Sequence, residues 1–225
     1  MSQDQVEDPK IQFRNVPEGR GKLFPLRSEQ STQSPSSEST PLCFGTRNCS
    51  SCVGLFLPLP NQGCAYVAHI NAWVLSTDDK GKEGYDRIPS LSEGNRFRAE
   101  VLRKFQSVFA KHSWVIADID AAGVTLVCPK LYDGGSWDYS TGWYVVDAIR
   151  DLLARPPGLQ CDSLAHGFVF DPVDGEMENL PISGSRQDSF STKIWVQKAD
   201  GLEWEYGVVD EVEGLDDWEI QAERP

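Results

Sequence analysis

Apolar positions recur at helical spacing in two stretches of the chain and gather into short strand-like runs through much of the rest. Phe97, Val101, Leu102, Phe105, Val108 and Phe109 fall three or four residues apart. That spacing predicts an amphipathic helix from about 93 to 111 with one face in the core. Trp143, Val146, Ile149, Leu152 and Leu153 predict a second helix from about 143 to 154, ending before Pro156-Pro157, because proline disfavours helical backbone in the residue ahead of it. Val53 to Leu57 and Ala65 to Ile70 are apolar runs separated by Pro58-Leu59-Pro60-Asn61-Gln62-Gly63, which reads as a hairpin. Further strands are expected at 114–119 and 124–128 around Ala121-Ala122-Gly123, and at 167–170 and 176–178 around Asp174-Gly175. A last hairpin is expected at 193–197 and 203–208 around Asp200-Gly201. Residues 77–95 are polar and rich in Gly and Asp, which predicts a long loop. The helices do not alternate regularly with the strands, so a doubly wound parallel sheet is disfavoured and an α+β sandwich is expected.

The 225 residues, 40% of them hydrophobic, suffice for one sizeable core. Three regions are expected. Residues 1–41 read as a flexible polar arm, because the stretch from Ser28 to Pro41 contains no apolar residue to offset its ordering entropy. Residues 42–208 hold the folded domain, including the C-terminal hairpin. Residues 209–225 read as a solvated acidic tail. From Asp200 to Pro225 there are ten carboxylates and one base, so this end supplies -9 of the formal net charge of -13. An acidic chain lacks the basic footprint that nucleic acid or an anionic membrane requires, so neither is an expected partner. The start, Met1 to Asp8, is polar and acidic, without the apolar core of a secretory signal, and a cytoplasmic protein is expected.

Six cysteines stand at 43, 49, 52, 64, 128 and 161, and without a secretory signal they are expected to be reduced. Cys52 and His69 lie at the outer ends of the 53–70 hairpin, where antiparallel pairing brings residues side by side. A thiol and an imidazole in reach of each other are the minimum apparatus of a cysteine hydrolase. Bland readings exist for both, since cysteine in an apolar strand is commonly a small buried hydrophobe. Cys49-Ser50-Ser51-Cys52 is also a C-x-x-C, compatible with a redox pair or half of a zinc site. A tetrahedral site needs two more ligands, commonly as a close pair, whereas Cys64, His69, Cys128, Cys161 and His166 are scattered singly. His112, at a helix end, reads as a residue complementing the helix dipole.

Thr46-Arg47-Asn48-Cys49-Ser50-Ser51-Cys52-Val53-Gly54-Leu55, followed by His69, resembles the active-site stretch of the CheD family of bacterial chemoreceptor glutamine deamidases. There a threonine precedes a Gly-Ser-Cys-Val segment by about the same interval and a histidine follows. Downstream, Pro129-Lys130-Leu131-Tyr132-Asp133-Gly134-Gly135-Ser136 resembles the family's Lys-Leu-Phe-Gly-Gly-Ala stretch, and Thr141-Gly142-Trp143 stands where its next helix begins with Ile-Gly. The likeness spans Leu42 to Ile182. Ser50 replaces a glycine, Tyr66-Val67 lack the glycines before the histidine, Asp133 is inserted, and the asparagine after Thr141-Gly142 is absent.

The resemblance implies a CheD-like sandwich of mixed, mostly antiparallel sheets with two main helices, shared with the cytotoxic necrotizing factor toxins. It also implies a catalytic set of Cys52, His69 and Thr46. Cys52 would attack a side-chain amide, His69 would move the protons, and Thr46 would orient the imidazole. Backbone N–H groups around Ser51 would hold the oxyanion, and Lys130, Gly134 and Gly135 would support or line the pocket. No metal or other cofactor is implied. The expected function is deamidation of glutamine or asparagine in a protein or small molecule through a thioester. The alternatives are an inactive binding module and a transglutaminase-like acyl transferase on the same scaffold.

Overall fold

The computed structural model describes residues 11–26, 42–78, 81–85, 87–88, 90–129, 139–182, 193–197 and 203–223. In chain order the strands before the first helix are β1 (Ile11–Asn15), β2 (Arg20–Pro25), β3 (Leu42–Thr46), β4 (Val53–Leu59), β5 (Cys64–Asp78), β6 (Gly81–Tyr85) and β7 (Arg87–Ile88). Helix α1 (Leu91–His112) leads to β8 (Thr125–Val127) and β9 (Tyr139–Ser140), and helix α2 (Thr141–Leu152) follows. The remaining strands are β10 (Cys161–Asp162), β11 (Ala165–Phe170), β12 (Met177–Pro181), β13 (Lys193–Gln197), β14 (Glu203–Asp210), β15 (Asp216–Asp217) and β16 (Glu219–Glu223).

Two mixed sheets and the helices form three layers, the α+β sandwich expected of the pattern. One sheet has the order β12-β11-β3-β1-β14-β13, and the other β10-β8-β4-β5-β2-β15, with β16 and β6 also paired to β5. Most described pairings are antiparallel; β1 with β3 and β14, β8 with β10, and β5 with β16 are parallel. Alternation along β4 explains the layering. Val53, Leu55, Leu57 and Leu59 join Phe97, Val101 and Phe105 of α1 and Val145 and Ile149 of α2 in the largest core cluster. Phe56 projects the other way, into the core between the sheets with Phe44, Val67, Phe168 and Phe170. Both faces of β4 are buried, so its sequence is a continuous apolar run.

The β4–β5 hairpin forms as the sequence predicts. Pro60–Gln62 make one 3-10 turn, and Gly63 closes it at φ 64°, with its N–H bonded to the Pro60 carbonyl at 3.0 Å. Left-handed backbone suits a residue without Cβ. Both helices begin on a serine: Ser90 accepts from the Glu93 N–H, and Ser140 from the Trp143 N–H. Such caps satisfy amides that the first turn leaves without intrahelical partners.

Four expectations need correction. Residues 114–119 do not form a strand; Ile116–Asp118 is a 3-10 turn, held by the Asp118 carboxylate accepting the Val115 N–H at 2.9 Å. The stretch 77–95 is not a long loop, because β5 continues to Asp78 and pairs with β6, β7 pairs with β9, and α1 has begun by Leu91. Residues 1–41 are not wholly an arm: β1 and β2 enter the two sheets, with Phe13 fully buried, while residues 27–41 lie outside the described residues.

The fourth concerns residues 209–225. β15 and β16 pair with β2 and β5, and Trp218 and Ile220 are buried in the main cluster. The Trp218 indole donates to the Tyr66 hydroxyl at 2.7 Å, and that hydroxyl donates to Asp216 at 2.7 Å. Lys111 and His112, at the end of α1, contact the same carboxylate. Clustered acids hid this docking, because many of their charges are met by bases elsewhere on the chain. Trp218→Ala is expected to destabilise the protein by about 3–5 kcal/mol, measured by urea unfolding; a loss below about 0.5 kcal/mol is what a solvated tail would give.

Candidate active site

The candidate site lies where the two sheets meet, near the outer end of the β4–β5 hairpin. Gly54 stands opposite His69 and Val53 opposite Ile70, and Cys52 directly precedes β4. The Cys52 thiol reaches across to Asn71, whose side-chain oxygen is 3.5 Å from the sulfur. His69 and Asn71 are two residues apart on one strand and therefore share a face. Gly54 keeps that face open: a Cβ there would lie 3.0 Å from a Thr46 methyl and 3.2 Å from the Cys49 sulfur. Gly142, at the start of α2, packs as closely against the segment that carries Cys52. A Cβ there would meet the Cys128 sulfur at 2.5 Å and the Ser51 carbonyl at 3.1 Å.

Thr46 comes from the opposing sheet and fixes the imidazole. Its hydroxyl donates to the Val16 carbonyl at 2.9 Å and lies 2.8 Å from His69 Nδ1. A hydroxyl has one proton, so with that proton on Val16 the oxygen accepts from Nδ1–H. His69 is then the tautomer with its lone pair on Nε2, and Nε2 is buried without a hydrogen-bond partner among the described residues. Burial pushes the imidazole pKa down to about 4, against an upward pull from the Val16 carbonyl. At neutral pH the ring is an uncharged base.

Cys52 is buried, with 3% of its surface exposed. Its thiol donates toward Asn71 and also toward Glu18, whose Oε1 is 3.6 Å away. Asn71 in turn donates to Glu219 at 3.1 Å. Burial pushes the Cys52 thiol pKa far up, and the charge and hydrogen bond of Glu18, the neighbouring Cys128 and the charge of Glu219 add to the rise. The resting pair is therefore neutral thiol and neutral imidazole. Ionising the thiol requires transfer of its proton at the moment of reaction or a change in the charges around it.

The geometry bears unevenly on the residues named from sequence. Thr46 and His69 are in direct contact. The Cys52 thiol contacts Glu18 and Asn71, and no hydrogen bond joins it to His69, so the expected dyad is not in direct contact. Ser51 immediately precedes Cys52 and lies against α2 through its carbonyl. Lys130, Gly134 and Gly135 lie outside the described residues, as does Asp133. All six cysteines are free, and among the described residues no group of three or more His, Cys, Asp and Glu is placed to hold a metal ion. His166 lies against the Asn48–Cys49 segment, where its Nδ1 accepts the Asn48 N–H at 3.1 Å and its carbonyl accepts the Cys49 N–H at 2.8 Å.

Glu18, Asn71 and Glu219 escaped the sequence reading. Asn71 was within reach of it, since alternation along a strand puts position 71 on the face of position 69. The two glutamates come from segments read as arm and tail.

No protein-family model matches the chain, and no curated protein matches it. Among the described residues no helix is long and apolar enough to cross a membrane.

The buried imidazole makes stability depend on pH. Its pKa falls from 6.5 in the unfolded chain to about 4 in the fold, so between those values the unfolded state binds the extra proton. The contribution is complete above pH 6.5 and is lost as pH falls toward 4, amounting to about 3 kcal/mol. His166, also shifted down by burial, acts in the same direction. Urea unfolding at pH 7 and pH 4 should therefore show wild type losing about 3 kcal/mol more than His69→Gln; parallel losses would contradict a buried neutral His69.

Proposed function

We propose that the protein is a cysteine-dependent amidohydrolase that deamidates glutamine or asparagine side chains through a thioester on Cys52. The observation that carries this reading is the orientation of His69. Its Nδ1 is engaged by Thr46 while Nε2 keeps a buried, unpartnered lone pair on the face that Asn71 and the Cys52 thiol occupy. The resemblance of the Thr46–Leu55 segment and His69 to CheD deamidases supports the same reading.

In this mechanism Nε2 takes the Cys52 proton as sulfur attacks the carboxamide carbon, forming a C–S bond and placing negative charge on the oxygen. The imidazolium returns the proton to the nitrogen, the C–N bond breaks, and ammonia leaves a thioester. Water then adds to the thioester carbon with His69 as base, the C–S bond breaks, and the proton returns to sulfur. The products are a carboxylate and ammonia, with one water consumed. Thr46 holds the ring in the required tautomer throughout.

One feature of the site favours a second reading, an inactive binding module. Burial and two carboxylates hold the Cys52 thiol protonated, the reverse of what thiolate chemistry needs. Ammonia release from glutamine- and asparagine-containing peptides and from the free amino acids decides between the two. The deamidase predicts release that is abolished in Cys52→Ala and lowered roughly 10²–10⁴-fold in His69→Ala, the usual worth of an acid–base group. Release that survives Cys52→Ala, or none from any amide tested, supports the binding module.

A further inference from the structure

The two carboxylates beside the thiol have no place in the mechanism as written. Glu18 is exposed and Glu219 half-buried, so they lie on the solvent side of the buried sulfur. Glu18 is 3.6 Å from Cys52 Sγ. Glu219 is bound through Asn71, which contacts both it and the thiol, and its other carboxylate oxygen occupies the space that a Cβ on Gly19 would fill. Acids nearby in the chain are ion-paired: Glu211 with Arg14 and Lys22, Asp217 with Arg20 and Lys104, and Asp216 with Lys111 and His112. Among the described residues neither Glu18 nor Glu219 has a basic partner. A second unpartnered group, the buried Nε2 of His69, belongs to the same face as Asn71. The site thus combines two uncompensated negative charges with an unused acceptor.

We propose that Glu18 and Glu219 bind the ammonium group of a substrate that carries a primary amine beside its carboxamide. This rests on the reading of Cys52 as the nucleophile and narrows its substrate class. A cation held between the carboxylates reverses the sign of the nearest charges acting on the sulfur, because an opposite charge within about 4–6 Å favours the ionised form. The thiol is then activated only when a substrate bearing that cation is present. A free α-amino acid amide and the first residue of a peptide both supply this chemistry.

The test compares Gln-Ala-Ala and Asn-Ala-Ala peptides with free and with acetylated N-termini, alongside free glutamine and asparagine. The expected result is ammonia release at least tenfold faster from free-amine probes than from acetylated ones. In Glu18→Gln/Glu219→Gln that preference is lost. Relative rates on the free amino acids and the free-amine peptides then identify the source of the ammonium. Equal rates on acetylated and free probes, or a preference that persists in the double variant, would overturn the proposal.

Iodoacetamide labelling of Cys52 gives a readout independent of deamidation, and it decides the matter if no probe releases ammonia. Millimolar ethylammonium should accelerate labelling of wild type but not of the double variant; no acceleration of wild type would refute the ammonium site even if the protein proves to be a deamidase.

Discussion

Between β1 and β2 the chain crosses from one sheet to the other in the four residues Val16 to Gly19, and the groups of the candidate site are tied to that crossing. The Val16 carbonyl receives the Thr46 hydroxyl, and through it the imidazole acquires its tautomer. Glu18 receives the Cys52 thiol. The Gly19 N–H bonds to the His69 carbonyl at 2.9 Å, and the Gly19 carbonyl accepts the Trp218 N–H at 2.7 Å. One short turn thus joins β3 of the first sheet, β5 of the second, the loop that carries Cys52 and the C-terminal strands. Small displacements of this turn would affect thiol and imidazole together, because both are bonded to it.

The electrostatics follow from the same placement. Taking His69 out of water makes it a neutral base, and taking Cys52 out of water makes it a neutral thiol. Neither is charged at rest, so no ion pair has to be kept in an apolar setting, where an inadequately compensated charge is costly. Among the described residues, the carboxylates whose charge acts on the sulfur are Glu18 and Glu219.

How far the sequence revealed this depends on how each element is buried. α1, α2 and the β4–β5 hairpin show strong periodicity because each buries a large, regular apolar face, and they were legible. The pairing of Thr46 with His69 was anticipated from the resemblance of the Thr46–Leu55 segment and His69 to the CheD family, and spacing alone did not give it. β1 carries a clear alternation, with Ile11 and Phe13 buried and Gln12 and Arg14 exposed. Its short run precedes a long polar stretch, and composition averaged over the whole segment concealed it. The C-terminal strands were hidden for another reason. Asp216 and Asp217 look like solvated charge until Lys111, His112, Arg20 and Lys104 are brought to them by the fold. Partners more than a hundred positions away leave no local trace; Glu18 comes to the thiol from 34 positions before it, and Glu219 from the far end of the chain.

The central claim is that Thr46 fixes His69 as a neutral ring whose lone pair is on Nε2. Nitrogen-15 NMR of the imidazole reads this directly, with Thr46→Val as the comparison. The account predicts that at pH 7 wild-type His69 is protonated on Nδ1 alone, that it becomes cationic only as pH approaches about 4, and that Thr46→Val loses the fixed tautomer. A ring protonated on Nε2, or an imidazolium at pH 7, would contradict it.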